Sequence, residues 1–566
     1  MAVFTTERTR EMNASLVREL LLFSASRYAD RAALCQKRDG VYGEVSYCRL
    51  RSDVEALGTA LVGEGEKRIL IVGENCYEWA VSYLACLAGA GIAVPVDMDF
   101  SAEELVKLVT FSEATTVLYS DCMAEKLAQL PETVEKYAFS ELPALMQKGR
   151  EMLDKGGASV FDRALDKDAP AALFFTSAST DTPKGVLLSN ENLCYTLREA
   201  AKLVDITEKD RFLSVLPLHH IFESTCTLLG ALSVGASVAF GEGLRAIIKN
   251  MNEVNPTVLV AVPLIVEALA KWIAADARTQ IEKAKSAVAS VTGFLPQNGI
   301  TMTAKRKLFS ALHKKLGGNL RLVISGGAPV SSEVLKAVRN VGIATVEGYG
   351  LTECAPVVSV NPASAFRSGS VGVPLPASTV DIYNVQEDGR GEIRYKGGNC
   401  MLEYFKNPEL TEKVKQGDWL YTGDLGYLDK DGYLYIVGRK KNAIVMANGK
   451  HVYPEELEGL LCRSPFVKET IVVGFANETK QDNDLVAVIY PDYGTLRALY
   501  GDIYTRSDIE TELSLALQKV NESLPAYKKI GMFLVRENEF EKHRSRKIRR
   551  TGVAESVLEE YKAARE

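Results

Sequence analysis

The stretch RILIVGENCYEWAVSYLACLAGAGIAVPV, residues 68–96, sets the fold class. Its first eight residues form a short apolar run of the kind that makes a strand buried on both faces. Residues 76–89 have the length and composition of a helix, and IAVPV (92–96) is again a buried strand. A helix pattern follows at 102–112, and then a further strand, TTVLYS, at 115–120. Strand and helix alternating in this way need crossover connections, so they predict a parallel sheet with helices on its faces. The rhythm returns in FLSVL (212–216), ASVAFG (236–241), TVLVAVP (257–263) and LRLVISGG (320–327), each leading into a helix-like stretch. Upstream, 16–28 has helical apolar spacing, and Asp39-Gly40 between two β-rich runs signals a hairpin. The polar segment 140–168 reads as a surface connection. Toward the end the texture changes to short strands near 433–437, 467–474, 484–490 and 529–536, with helices at 454–463 and 506–521. The predicted fold is α/β: a large, multi-layered N-terminal body (1–438) with mostly parallel sheets flanked by helices, then a small α+β C-terminal domain (439–566).

A chain of 566 residues is too long for one small domain. Its 67 basic and 73 acidic residues leave a net charge of −6, which excludes an overall basic surface for nucleic acid or anionic lipid. Hydrophobic content of 47% and charged content of 25% are those of an ordinary globular protein. The ten cysteines stand singly, with no C-x-x-C pair, as expected in a reducing compartment. The first residues, MAVFTTERTREMNASLV, are too polar for the apolar core of a secretion signal, so a cytoplasmic location is expected. The two longest uncharged runs, Trp79 to Val96 and Ser224 to Phe240, hold Gly, Ser or Pro where a membrane helix would carry Leu and Ile. Each predicts a buried helix followed by a strand, and no transmembrane segment.

The segment LFFTSASTDTPKGVLLSNENL (173–193) leaves a strand and passes Thr176, Ser177, Ser179 and Thr180 on its way to Lys184 and Gly185. Small hydroxyl residues and open backbone N–H groups can wrap phosphate oxygens, and a lysine adds the charge that a polyphosphate requires. It is not a Walker A loop, since G-x-x-x-x-G-K-[ST] is absent. Five further blocks follow: SGGAP (325–329), EGYGLTE (347–353), YTGDLGYLDKDGYLYIVGRKKN (421–442), NGKHVYPEELE (448–458) and SRKIRR (545–550). The order and spacing of the six closely resemble the adenylate-forming superfamily of acyl-CoA synthetases, peptide-synthetase adenylation domains and beetle luciferases. The resemblance runs from about residue 30 to 555.

That resemblance implies ATP and Mg²⁺ as cofactors, with CoA as co-substrate. It places the β- and γ-phosphates in the loop of Thr176, Ser177, Ser179, Thr180 and Lys184. Thr352 falls on the α-phosphate, and Glu353 with Thr176 on the metal, a hard cation that takes oxygen ligands. Gly326, Gly327 and Ala328 of SGGAP, with Glu347, Gly348, Tyr349 and Gly350, fall around adenine. Asp424 falls on the ribose hydroxyls and Arg439 beside the same sugar. Lys547 matches the family lysine that reaches the substrate carboxylate and α-phosphate. In the family the small domain is mobile, pivoting at the position of Lys441, and brings the loop around Gly449 to the thiol entrance for the second half-reaction. LPLHHIFE (216–223) resembles the block lining the acyl pocket, with His220 near the carboxylate and Phe222 and Glu223 beside it.

Two departures stand in the phosphate loop: Ala178 and Asp181 occupy positions where the family carries glycine. An alanine matters where the backbone needs φ > 0, and an aspartate sets an anion beside a bound anion. Retention of Lys184, Thr352, Glu353, Asp424, Arg439 and Lys547 favours an active enzyme. Glu403 replaces a further customary glycine. Three readings stay open: an acyl-CoA ligase for a long- or medium-chain fatty acid, an acyl carrier protein ligase using the same adenylation, and a nucleotide-binding homologue with impaired catalysis.

Overall fold

The computed structural model describes residues 13–63, 67–176, 184–284, 301–447, 450–477, 482–542 and 548–564. The chain divides into a larger unit (Met1–Val380, Tyr395–Leu420, Lys430–Leu434) and a smaller one (Asp381–Arg394, Tyr421–Asp429, Tyr435–Glu566).

The larger unit holds two mixed, mostly parallel sheets. In the seven-stranded sheet Glu135–Ala138, Thr116–Tyr119, Arg68–Val72, Ile92–Val96 and Pro170–Thr176 lie side by side and parallel. Lys184–Ser189 and then Glu403–Tyr404 complete one edge antiparallel. In the nine-stranded sheet the parallel run is Ala344–Gly350, Leu322–Ser325, Val258–Ala261, Arg211–Ser214, Ser237–Phe240 and Ala32–Arg38, with antiparallel strands outside it at both edges. The apolar run at 69–72 is fully buried. Leu70 and Val72 alternate onto one face, where they pack with Leu105, Leu108 and Val109 of the helix Ala102–Ser112. That helix starts on a capping box, Ser101 and Glu104 each hydrogen-bonding the other's backbone amide.

Both long uncharged runs are a buried helix followed by a strand. Tyr77–Ala85 continues into a π turn, Cys86–Ala90, before Ile92–Val96. Glu223–Leu229, itself a π turn, leads through Gly230–Ser233 to Ser237–Phe240. No helix among the described residues is long and apolar enough to cross a membrane.

The segment 140–168 is not the surface connection its polarity suggests. It contains the helix Leu142–Asp154, which buries Leu142, Met146 and Gly149. Spacing of four and three residues puts these on one stripe, and the polar residues between them face solvent. Gly149 is what lets this helix lie on Tyr47–Leu61, because a Cβ there would collide with the Ala56 carbonyl oxygen.

In the smaller unit Val467–Asn477 pairs antiparallel with Asp482–Pro491, which pairs parallel with Met532–Val535. Leu485, Ala487 and Ile489 face one core with the helices Pro454–Leu461 and Arg506–Glu522. Val486 and Val488 face another with Phe540, Val553, Val557 and Tyr561. Strict alternation along one strand therefore serves two cores.

Gly149→Ala tests the helix contact. On an open helix this change gains up to about 1 kcal/mol. Here the new Cβ forces backbones apart, so urea unfolding is expected to show a loss of about 1–3 kcal/mol. A gain would mean that the two helices are not in contact at this point.

Candidate active site

Parallel strands deliver their ends and following loops to one edge of a sheet, and the predicted site residues of the larger unit that the structure describes sit at strand ends or in the turns just after them. Thr176 ends one strand and Lys184 begins the next. They are register partners, and the Thr176 hydroxyl lies 3.5 Å from the Lys184 carbonyl oxygen. Ser177, Ser179, Thr180, Ala178 and Asp181 lie outside the described residues. Thr352 and Glu353 form a 3₁₀ turn just after the strand Ala344–Gly350.

The fold brings these two segments together. Lys184 Nζ is 3.0 Å from Glu353 Oε1, across 169 residues of sequence. Tyr404 Oη donates to the same Oε1 at 2.7 Å, and Lys184 Nζ stands 4.1 Å from the centre of the Tyr404 ring. Sequence reasoning missed Tyr404 and Asn399. Asn399 is fully buried and donates to the carbonyls of Cys354 (2.6 Å) and Val357 (2.7 Å), while the Met401 amide donates to Glu353 O at 2.8 Å. The signal for both residues was the segment GGNCMLEYF, where Glu403 replaces a glycine. Glu403 belongs to a two-residue edge strand with its side chain exposed, so solvent accommodates it.

For a metal, the donor chemistry fits magnesium. Both side-chain contacts of Glu353 named above fall on Oε1, which leaves Oε2, among the described residues, as a hard oxygen donor, and Thr176 supplies a hydroxyl. Among the described residues no cluster of three or more His, Cys, Asp or Glu could hold an ion. Magnesium is commonly held by one or two carboxylates with phosphate oxygens and water, as such a sparse set requires.

SGGAP and EGYG lie on neighbouring strands, with Ser325 opposite Glu347. Gly326 is packed under Phe222, whose Cζ would be 2.7 Å from a Cβ there, and Gly327 has φ +84°. Gly327, Ala328 and Gly350 are exposed, and Gly348 and Tyr349 half-buried. Glu347 is buried, which pushes its carboxyl up to about 7 against the opposing hydrogen bond from the Val330 amide.

His220 has exposed surface, yet the protein around it desolvates the ring and lowers its pKa, with Asp97 acting in the opposite sense. His219 is deeper, its Nε2 3.7 Å from Asp97 Oδ2, and burial holds it well below the usual range. Both imidazoles are neutral near pH 7, so His220 offers a carboxylate hydrogen bonding rather than charge. Glu223, expected beside it on an acyl pocket, is instead turned fully inward, where it takes hydrogen bonds from Ser214 Oγ (2.6 Å) and Thr227 Oγ1 (2.9 Å).

In the smaller unit Arg439 Nε is 2.7 Å from Asp424 Oδ1, and the Asp424 amide donates to Thr422 Oγ1 at 3.1 Å. Asp424 is buried and Arg439 exposed. Lys441 is exposed in the 3₁₀ turn Lys440–Asn442. Gly449 and Lys547 lie outside the described residues. Arg550 pairs with Glu458, whose carboxyl burial pushes up to about 7.

Residues 22–405 match the model of the AMP-binding enzymes, and residues 441–564 match that of the AMP-binding enzyme C-terminal domain. The chain is 29% identical to the long-chain-fatty-acid–CoA ligase FadD15 of Mycobacterium bovis, with 93% of each covered. It is also 29% identical to the long-chain-fatty-acid–CoA ligase 5 of Rattus norvegicus, over 84% of this chain and 75% of that one. Among solved structures, o-succinylbenzoate CoA synthetase from Bacillus subtilis with its acyl-adenylate superposes with a TM-score of 0.69. The identity is 22%, and 94% of this chain and 96% of the other are covered. ATP-bound MatB from Rhodopseudomonas palustris gives 0.74 at 21% identity, covering 97% and 99%. At these identities the structural likeness shows the fold.

Glu223 carries a pH-dependent prediction. Complete burial pushes its carboxyl up to about 8, against the hydrogen bonds from Ser214 and Thr227, while the unfolded side chain ionises near 4.5. Its stabilising contribution is therefore full below about pH 4.5 and is lost as pH rises toward about 8. Glu223→Gln keeps the shape without the titration. Its unfolding midpoint relative to the unaltered chain is expected to rise between about pH 5 and pH 8. A difference flat across that range would mean that Glu223 is charged in the folded protein.

Proposed function

Because the chain belongs to the family of AMP-binding enzymes, whose model its residues 22–405 match, we propose that it is an acid–thiol ligase that activates a fatty carboxylic acid with ATP and passes the acyl group to CoA. A free carboxylate is a poor acyl donor, since oxide would have to leave. Attack of its oxygen on the α-phosphorus of ATP expels pyrophosphate and gives an acyl-adenylate. Attack of the CoA sulfur on the acyl carbon then releases AMP and forms the thioester.

The observation that carries this reading is the meeting of Lys184 and Glu353 at 3.0 Å. A cation for phosphate and a carboxylate for a metal, set in advance side by side, are what phosphoryl chemistry with little covalent help from the protein requires. Lys184, with Thr176, Ser177, Ser179 and Thr180, is assigned to the β- and γ-phosphates, and Thr352 to the α-phosphate. Glu353 and Thr176 would hold magnesium, which neutralises charge on the triphosphate. Gly326, Gly327, Ala328 and the run Glu347, Gly348, Tyr349 and Gly350 are assigned to adenine, and Asp424 and Arg439 to ribose. Neutral His220 hydrogen-bonds the acid's carboxylate. Lys547 supplies charge in adenylation, Gly449 serves the thiol step, and Lys441 is the pivot of the C-terminal domain (439–566). The fatty acid and CoA as substrates rest on the long-chain-fatty-acid–CoA ligases among the relatives.

Pyrophosphate release measured across a panel of carboxylic acids, followed by acyl-CoA formation, tests the reading. Release that depends on a fatty acid is expected, and nucleotide binding without acid-dependent release would overturn it. In the same assay Lys547→Ala is expected to slow adenylate formation by about 10²-fold or more. Thioester formation from supplied acyl-AMP should be spared, and equal loss in both steps would remove Lys547 from its assigned role.

A further inference from the structure

Tyr404 stands in neither the phosphate loop nor the EGYGLTE block, and none of the roles assigned above uses it. It is nevertheless the residue on which Lys184 and Glu353 converge. Its hydroxyl donates to Glu353 Oε1 at 2.7 Å, its ring face lies 4.1 Å below Lys184 Nζ, and its side chain is buried. The backbone fixes it there. The short strand Glu403–Tyr404 pairs with the strand that Lys184 opens, placing Tyr404 opposite Val186, and flanking amides lock the register: Leu402 N donates to Leu187 O at 2.9 Å and Phe405 N to Gly185 O at 2.8 Å. The Tyr404 amide itself donates to Thr411 Oγ1 at 2.9 Å.

We propose that Tyr404 is a positioning residue of the nucleotide site: its hydroxyl orients the Glu353 carboxylate and its ring fixes the Lys184 ammonium. The two halves of the side chain act on different partners. The hydroxyl takes Oε1, which leaves Oε2 as the oxygen offered to a cation. The π face attracts the ammonium by its quadrupole, holding a long, flexible side chain in the one place where it also meets the carboxylate. When phosphate draws Lys184 away from Glu353, the hydroxyl still satisfies the carboxylate. This inference rests on the adenylation reading for the identity of the ligands, but not for the contacts themselves.

Two variants separate the halves. Tyr404→Phe keeps the ring and removes the donor. The magnesium concentration for half-maximal pyrophosphate release is expected to rise about tenfold, as for loss of a hydrogen bond to a charged group. The acetylation rate of Lys184 by limiting acetic anhydride, read by mass spectrometry, should stay unchanged. Tyr404→Leu removes both halves, and Lys184 acetylation is expected to rise about three- to tenfold, the scale of a lost cation–π contact. The KM for ATP should rise with it. The labelling arm needs no catalysis, so a shift in Lys184 reactivity in an enzyme that releases no pyrophosphate would sustain the positioning role while the functional reading falls. Lys184 labelling unaltered in the Leu variant, or a magnesium requirement unaltered in the Phe variant, would overturn the proposal. So would losses in both variants that merely follow a lowered unfolding temperature.

Discussion

Opposite charges on Lys184 and Glu353, 169 residues apart, meet at 3.0 Å in a site where both side chains are largely withdrawn from water. Removing one member of such a pair leaves the other charge partly desolvated without its opposite, which is costlier than never having made the pair. The same constraint suits the proposed chemistry. A phosphate for the lysine and a cation for the carboxylate exchange partner for partner, so neither charge need be bared as the nucleotide enters.

The pair depends on backbone placed by a third segment. Residues 399–404 run beside the turn carrying Glu353: Asn399 ties the carbonyls of Cys354 and Val357, Met401 ties that of Glu353, and Tyr404 reaches its carboxylate. Asn399 is itself held, accepting from Tyr395 Oη at 2.8 Å. A fully buried amide with all these partners is stiff, since every alternative position would leave a polar group unpaired. A comparable tie operates under His220. Asn75, just past the strand Arg68–Val72 of one sheet, bonds Ser214 Oγ at the end of a strand of the other, and Leu216 O and Leu218 N just beyond it. Glu223 lies beneath, on the same Ser214. The loop bearing the two histidines is thus fastened to both sheets by polar contacts, while His220 keeps exposed surface.

The amino-acid sequence by itself determined the layering and the chemical inventory. Strand and helix periodicities at 16–28, 68–120 and 212–263, and the hairpin signal at Asp39-Gly40, are local properties, written in neighbouring residues, and six ordered blocks carried the family resemblance. Departures were also local: an exposed edge position accommodates Glu403, and the buried stripe of Leu142–Asp154 hides among polar neighbours because only every third or fourth residue touches the core. What only the tertiary structure decided was convergence. That Tyr404 and Asn399 serve Lys184 and Glu353, that Phe222 covers Gly326, and that Glu223 turns inward while His220 turns out all depend on strand order and register. Apart from the nearby partners of Glu223, those are set by contacts between residues scores of positions apart, and such contacts leave no periodic mark on the chain because each is made once, across space rather than along the backbone.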